Sequence, residues 1–370
     1  MSFADWLAER AADRRDSGLE RRLPDPPGED IVDLAGNDYL GFSRDARVVK
    51  AATAAAEAWG AGAGASRLVT GTLVVHQALE NALAEWTRRP AALALSTGYH
   101  ANLAAVTSLT DEDTLIVSDA HVHASLIDAC RLSRASVTVV GHNDLHAVDD
   151  ALRQRSQARA LVIVESIYSV LGDAAPLAQL AAACAEHDAV LLVDEAHGLG
   201  VAGPSGRGLV HADGLGDAAH VVVTATLSKA LGSQGGAILA SAAVIEHVVN
   251  TARPFIYDTG LAPAAAGAAS EALAILAGDP GPLERLHRVA AALGDAVGQS
   301  PAGAVMSVPM PGPNEAVEAQ RRCRDDGILV GCFRPPSTPD GTSRLRITAS
   351  ARHTDADVER AIATLRTVLP

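Results

Sequence analysis

Asp194, His197 and Lys229 are the residues whose types and spacing could do chemistry together. The Asp closes an apolar run, the His follows three residues on, and the Lys comes after the next apolar run. A lysine amine can form an imine with an aldehyde. A carboxylate can keep a pyridine nitrogen protonated, so that the ring stores the charge of a carbanion. A histidine can hydrogen-bond a phenolic oxygen. These are the needs of a pyridoxal phosphate site, which also requires a phosphate cradle. Gly98-Tyr99 at the start of a helical pattern offers backbone N–H groups and a positive dipole end, and Thr226 offers a hydroxyl. The chain has only two lysines, Lys50 and Lys229, and Lys50 lies inside the helical pattern Val48 to Trp59. Taken singly, an Asp-x-x-His is usually a capped turn, a lysine a solvated surface group, and His121 or His123 a cap-region histidine. Their placement at successive strand ends is what gives them weight.

Two other motifs mislead. Asp194-Glu195-Ala196-His197 spells a helicase-type box, but the chain has no Gly-Lys pair and so no phosphate loop. Gly198-Leu199-Gly200-Val201-Ala202-Gly203 matches G-x-G-x-x-G. Pro204, Gly206 and Gly208 follow where a dinucleotide fingerprint needs a helix, so it reads as a glycine-rich surface loop.

The elements that must position these residues follow from the pattern. Apolar runs at 91–95, 114–118, 136–140, 160–165 and 189–193 read as buried strands, with further strands at 220–224 and 236–240. Helical patterns at 99–109, 123–132, 144–155 and 176–187 alternate with the first five. This predicts an α/β fold with a mostly parallel sheet, whose ligands bind at the carboxyl ends of the strands. Earlier, residues 2–17 read as a charged helix, 31–34 as a strand, and 45–59 and 73–87 as helices. Later, helices at 262–277, 282–298, 314–326 and 355–368 with strands at 304–309, 328–331 and 344–348 predict a smaller C-terminal α+β domain. The division is an N-terminal helix and arm over 1–42, a large cofactor-binding domain over 43–278 and a small domain over 279–370.

Length and charge narrow the function. The 370 residues carry a formal charge of −14, which argues against general nucleic-acid binding. The longest weakly polar run, Leu261 to Gly278, is too Ala-rich for a membrane span, and Met1 to Leu23 does not read as a signal peptide. A soluble cytoplasmic protein is expected. Cys130, Cys184, Cys323 and Cys332 match no metal-ligand spacing and read as free, buried thiols; no metal is expected.

The chain resembles the α-oxoamine synthases, of fold type I among pyridoxal phosphate enzymes. The matching stretches are Asn37 to Gly41, Val75 to Glu80, Ser96 to Asn102, His123 to Leu126, Val193 to Gly200, Thr226 to Gly236, and Arg334-Pro335-Pro336 through Arg344-Leu345-Arg346. The resemblance implies Lys229 as the cofactor lysine and proton-transfer base. It implies Asp194 as partner of the ring nitrogen, His197 of the phenolic oxygen, and His123 as the stacking ring. Ser169 would line the site, Gly98, Tyr99 and Thr226 would hold the phosphate, and Asn37 and Arg346 the amino-acid carboxylate. Arg21, or its neighbour Arg22, would bind the acyl substrate, with Ser337 near the acyl chain. Ser66 leaves room for the methyl of alanine. The implied reaction is decarboxylative condensation of L-alanine with a pimeloyl thioester, of coenzyme A or acyl carrier protein, in biotin biosynthesis. Sister synthases taking glycine or serine, and a non-catalytic relative, are the alternatives. The family's site lies at a homodimer interface and is shared, the Ser66 to Thr72 loop reaching the partner's cofactor.

Overall fold

Apolar strands that alternate with helices build one large sheet in the computed structural model, which describes the chain except residues 18, 19, 22, 24–27, 29, 336 and 370. The strands are β1 (Val32–Leu34), β2 (Ala91–Leu95), β3 (Thr114–Asp119), β4 (Ser136–Val140), β5 (Arg159–Glu165), β6 (Val190–Asp194), β7 (Val221–Thr226), β8 (Gly236–Ala240), β9 (Val305–Pro309), β10 (Ile328–Phe333) and β11 (Arg344–Thr348). The seven-stranded sheet has the order β2-β8-β7-β6-β5-β3-β4. Strands β4, β3, β5, β6 and β7 pair in parallel, and β8 runs antiparallel to both β7 and β2. β3 and β7 are buried along their whole length, as a sheet covered on both faces requires.

The reversal of β8 has a local cause. Parallel neighbours need a long crossover, whereas antiparallel ones can be joined by a short turn. Residues 227–235 make that turn, closed by Leu227 N–H to Gly235 O and Ser233 N–H to Leu227 O, each 3.0 Å. Gly232 sits at φ +60, and a Cβ there would lie 2.3 Å from the Ser43 nitrogen, so only glycine fits. This turn carries Lys229.

The parallel register aligns the strand ends. Glu165 faces Asp194 across β5 and β6, and Asp194 faces Thr224 across β6 and β7. The helices Gly98–Leu109 and Ala124–Leu132 begin just past the ends of β2 and β3. Side chains distant in sequence therefore meet along one edge of the sheet.

The second sheet has the order β1-β10-β11-β9. Three strands come from the C-terminal α+β region, and the fourth, β1, comes from the N-terminal arm and pairs in parallel with β10. β10–β11 and β11–β9 are antiparallel. The chain forms two compact units, Met1–Ile31 and Val32–Pro370. The first holds the helix Phe3–Asp16, with a capping box in which Ser2 Oγ accepts from Asp5 N–H and Asp5 accepts from Ser2 N–H.

The glycine-rich run after Asp194 is not the surface loop expected of it. Leu199, Val201 and Ala202 are buried, and only a 3-10 turn, Pro204–Gly206, follows. Glu195, the second residue of the helicase-like box, is buried and accepts hydrogen bonds from Ser166 Oγ and Val210 N–H, each 2.7 Å. It ties this run to the sheet.

Among the described residues no helix is long and apolar enough to cross a membrane. All four cysteines are free; three are buried and Cys332 is half-buried.

Candidate active site

Asp194 ends β6, buried at 4% exposure, with both oxygens occupied. Oδ2 accepts from Asn102 Nδ2 at 2.7 Å and Oδ1 from Ala196 N–H at 2.9 Å. Asn102 is itself fixed, because Thr224 Oγ1 donates to its Oδ1 at 2.6 Å and its Nδ2 also donates to Ser125 Oγ. Glu165 stands beside Asp194. Burial, and then the Asp194 charge, push Glu165 up to about 8.

A chain of hydrogen bonds leads from the lysine to an arginine. Lys229 Nζ lies 2.8 Å from His197 Nε2, and His197 Nδ1 lies 2.6 Å from the Tyr39 hydroxyl. Tyr39 donates to Asn37 Oδ1 at 3.0 Å, and Arg346 Nη2 donates to the same oxygen at 3.1 Å. Because Tyr39 donates onward, its oxygen takes the His197 Nδ1–H, and Nε2 accepts from the lysine. Burial, and then the neighbouring Lys229 charge, hold His197 well below its ordinary pKa, so the ring is neutral. Burial also draws Lys229 down to about 8, against the pull of Asp194 and Glu165.

A cavity of about 250 Å³ joins these groups. Asp194, His197 and Lys229 line it together with His123, Gly98, Tyr99, Thr226 and Ser228. Gly98 opens a helix of 12 residues, capped by Thr97 Oγ1 accepting from His100 N–H at 3.0 Å, and its first amides precede the intrahelical ladder. A Cβ at Gly98 would lie 2.9 Å from Thr226 Cβ and fill this corner. The cavity thus holds an amine, a buttressed carboxylate and an amide-and-hydroxyl cradle, and these fit the aldehyde, ring nitrogen and phosphate of pyridoxal phosphate. Burial lowers the pKa of His123, whose Nδ1 accepts from Ser125 N–H at 3.2 Å.

A second cavity of about 460 Å³ shares His123, His197 and Lys229 with the first. Asn37, Ser169, Ser337 and Arg346 line it, with apolar cover from Ile127, Val170, Phe333 and Pro339. Arg346 is 4% exposed, and its Nε donates to Ser169 O at 2.6 Å.

One expected residue lies elsewhere. Ser66 lines neither cavity; its hydroxyl donates to Ile256 O at 2.7 Å. Arg21 is exposed in the N-terminal unit, and its alternative Arg22 lies outside the described residues. Asn102, Ser125, Tyr39 and Glu165 were given no role from sequence. Asn102, Ser125 and Tyr39 fall inside the stretches that carried the resemblance, and Glu165 closes an apolar run, so only the contacts between strands could assign them work.

A family model described as aminotransferase class I and II matches residues 29–365. A relative named 8-amino-7-oxononanoate synthase, from Mycolicibacterium gilvum, is 50% identical over 100% of this chain and 98% of its own length. One of the same name from Mycobacterium marinum is 52% identical over 98% of this chain and 94% of its own. Among solved structures, a serine palmitoyltransferase described as carrying the PLP internal aldimine has a TM-score of 0.91 and 29% identity, covering 100% of this chain and 99% of its own. The 8-amino-7-oxononanoate synthase of Francisella tularensis has a TM-score of 0.77 and 25% identity, covering 92% of this chain and 98% of its own. With its half-buried lysine, buttressed aspartate and glycine-opened cradle, the chain belongs to the aminotransferase class I and II family, and within it to the pyridoxal phosphate-dependent α-oxoamine synthases.

Proposed function

We propose that the chain catalyses the 8-amino-7-oxononanoate synthase reaction of biotin biosynthesis. L-alanine and a pimeloyl thioester, of coenzyme A or acyl carrier protein, condense with loss of carbon dioxide and release of the carrier thiol. The observation that carries this is identity of about 50% along the whole chain to relatives of that name, against 29% to the serine palmitoyltransferase.

Pyridoxal phosphate, when bound, supplies an aldehyde for amino groups and a ring that stores the charge left on a deprotonated α-carbon. Lys229 Nζ would hold it at its aldehyde. The same amine, its pKa lowered by burial, would take the α-proton at Nζ. Asp194 would hold the ring-nitrogen proton, and His197, oriented by Tyr39, would be the partner of the phenolic oxygen. His123 would cover the ring and exclude water, and Gly98, Tyr99 and Thr226 would hold the phosphate. Arg346 and Asn37 bind alanine's carboxylate until it leaves as carbon dioxide, and Ser169 orients the arginine through its carbonyl. Ile127, Val170 and Phe333 receive the acyl chain beside Ser337.

We read the working form as a cytoplasmic homodimer with shared sites. Leu68, Val69 and Val74, at 51%, 75% and 60% exposure on and beside the Ser66 loop, support a covered surface there. The division into a large domain over 43–278 and a small one over 279–370 is proposed with β1 added to the small one.

Mass spectrometry of products from alanine, glycine or serine, each offered with pimeloyl-, succinyl- and palmitoyl-coenzyme A, tests the reaction. Alanine with the pimeloyl donor should dominate. A serine–palmitoyl or glycine–succinyl product in excess would replace this reading.

A further inference from the structure

A third cavity, of about 450 Å³, lies away from the two described above, between the helices Val74–Thr87 and Pro263–Gly278. Its volume falls in the roughly 300–1,000 Å³ of small-molecule sites. Trp86 and Arg88 on its wall precede the start of β2, whereas the cofactor cavity follows the end of that strand. The two cavities therefore sit at opposite ends of the sheet.

Its wall gathers unpaired donors. Trp86 Nε1, Arg207 Nε and Ser270 Oγ are buried and make no hydrogen bond to the described residues, and all three residues line this one cavity. Trp86 is 6% exposed, so its indole N–H is shut away from bulk water. A buried donor left unmet is costly. Indole and guanidinium nitrogens donate only, so the wall asks for an acceptor oxygen.

The charge agrees. Arg88 also lines the cavity, and neither Arg88 nor Arg207 forms an ion pair among the described residues. Burial, and then the charges of Arg207 and Arg88, lower the pKa of the nearby His211. Both guanidiniums line the same cavity. The single carboxylate on the wall, Glu85, is exposed. The rest of the wall is apolar, from Ala82, Leu273 and Ala277.

We propose that this cavity binds a small organic carboxylate, its oxygens on Trp86 Nε1, Arg207 and Ser270 and its apolar body against the two helices. The site is separate from the proposed reaction. The Arg207 backbone forms a β-bridge with Leu199, two residues past His197, which a change of its side chain leaves in place.

Sodium hexanoate is the probe, with hexylammonium and inorganic phosphate as comparison arms. The readout is the indole N–H resonance of Trp86 in the cofactor-loaded protein, assigned with Trp86→Phe. Hexanoate should shift it saturably. Arg207→Gln should weaken that binding about tenfold or more, and Ser270→Ala less, with the wild-type rate retained by both when hexanoate is absent. That rate and an unchanged circular dichroism spectrum show the variants folded. Phosphate should bind more weakly than hexanoate, for want of an apolar body. A resonance that stays still with hexanoate up to its solubility limit, equal affinity for hexylammonium, or undiminished binding by both Arg207→Gln and Ser270→Ala would each overturn the proposal and leave the cavity to water.

Discussion

Asp194 is held at both oxygens by neutral donors, one from the backbone and one from Asn102. An amide in its place would keep the outline, turn its NH2 towards one of these two donors and lose the charge that retains a proton on a ring nitrogen. Asp194→Asn should therefore lose nearly all turnover, with circular dichroism showing that the variant is folded. Retention of more than about a tenth of the wild-type rate, a loss under ~1.4 kcal/mol, would contradict the role. Ser66 poses a question of discrimination. If alanine's methyl lies near this hydroxyl in the assembled site, Ser66→Thr would crowd alanine and spare glycine. Overpacking of about 1–3 kcal/mol would lower the alanine-to-glycine ratio of kcat/KM roughly 5- to 150-fold. An unchanged ratio from competition kinetics would place the methyl elsewhere.

At the scale of elements, the helix Gly98–Leu109 begins on a glycine because its neighbour leaves no room. Gly98→Ala would improve helix propensity but put a Cβ 2.9 Å from Thr226 Cβ, in the cradle. Cofactor affinity, read by absorbance titration, should fall about tenfold or more, while helix content is unchanged. The end of β3 is tied to the following loops by His142, bonded to Asp119 at 3.1 Å and Asp173 at 2.8 Å. Burial lowers its pKa, but the two carboxylates outweigh burial and raise it to about 9. A group whose folded pKa is raised stabilises fully below its unfolded value near 6.5 and loses that effect as pH climbs to about 9. Urea midpoints of wild type and His142→Asn should differ most at pH 6 and converge above pH 9, with a difference of about 2 kcal/mol at the acid end. Equal differences at both pH values would remove the charge from the explanation.

Elements and strand-end residues were legible in the sequence because fully apolar runs flanked by polar residues leave little freedom. Lys229 stood out as one of two lysines. The reversal of β8 was not legible, since a strand buried on both faces reads alike in either direction. Nor was the capture of β1 by the C-terminal sheet, a pairing with no local signal. The chain Thr224–Asn102–Asp194 needed three elements brought together. The glycine run at 198–203 looked like surface because composition does not report what lies on top of it.

For the whole molecule, the loop at Ser66 to Thr72 and its exposed neighbours matter most. If each loop serves the partner's site, subunits inactivated by Lys229→Ala and subunits disabled in the loop should complement when mixed. Up to about a quarter of wild-type activity is expected from random pairing, with one intact site among the two of each mixed dimer. No recovery after exchange shown by native mass spectrometry would assign the loop to its own subunit.

The pairing of β1 with β10 also sets an order of events during synthesis. Asn37, just past β1, meets Arg346 on β11 across 309 positions of chain. At about 5–20 residues per second, the ribosome delivers the second of the pair roughly 15–60 s after the first. The residues of the cofactor cavity, Thr97 to Lys229, all emerge well before Arg346. A nascent chain therefore has the parts to grip its cofactor before it has the parts to admit an amino acid, and a chain cut short before β11 would keep the first set and lack the second.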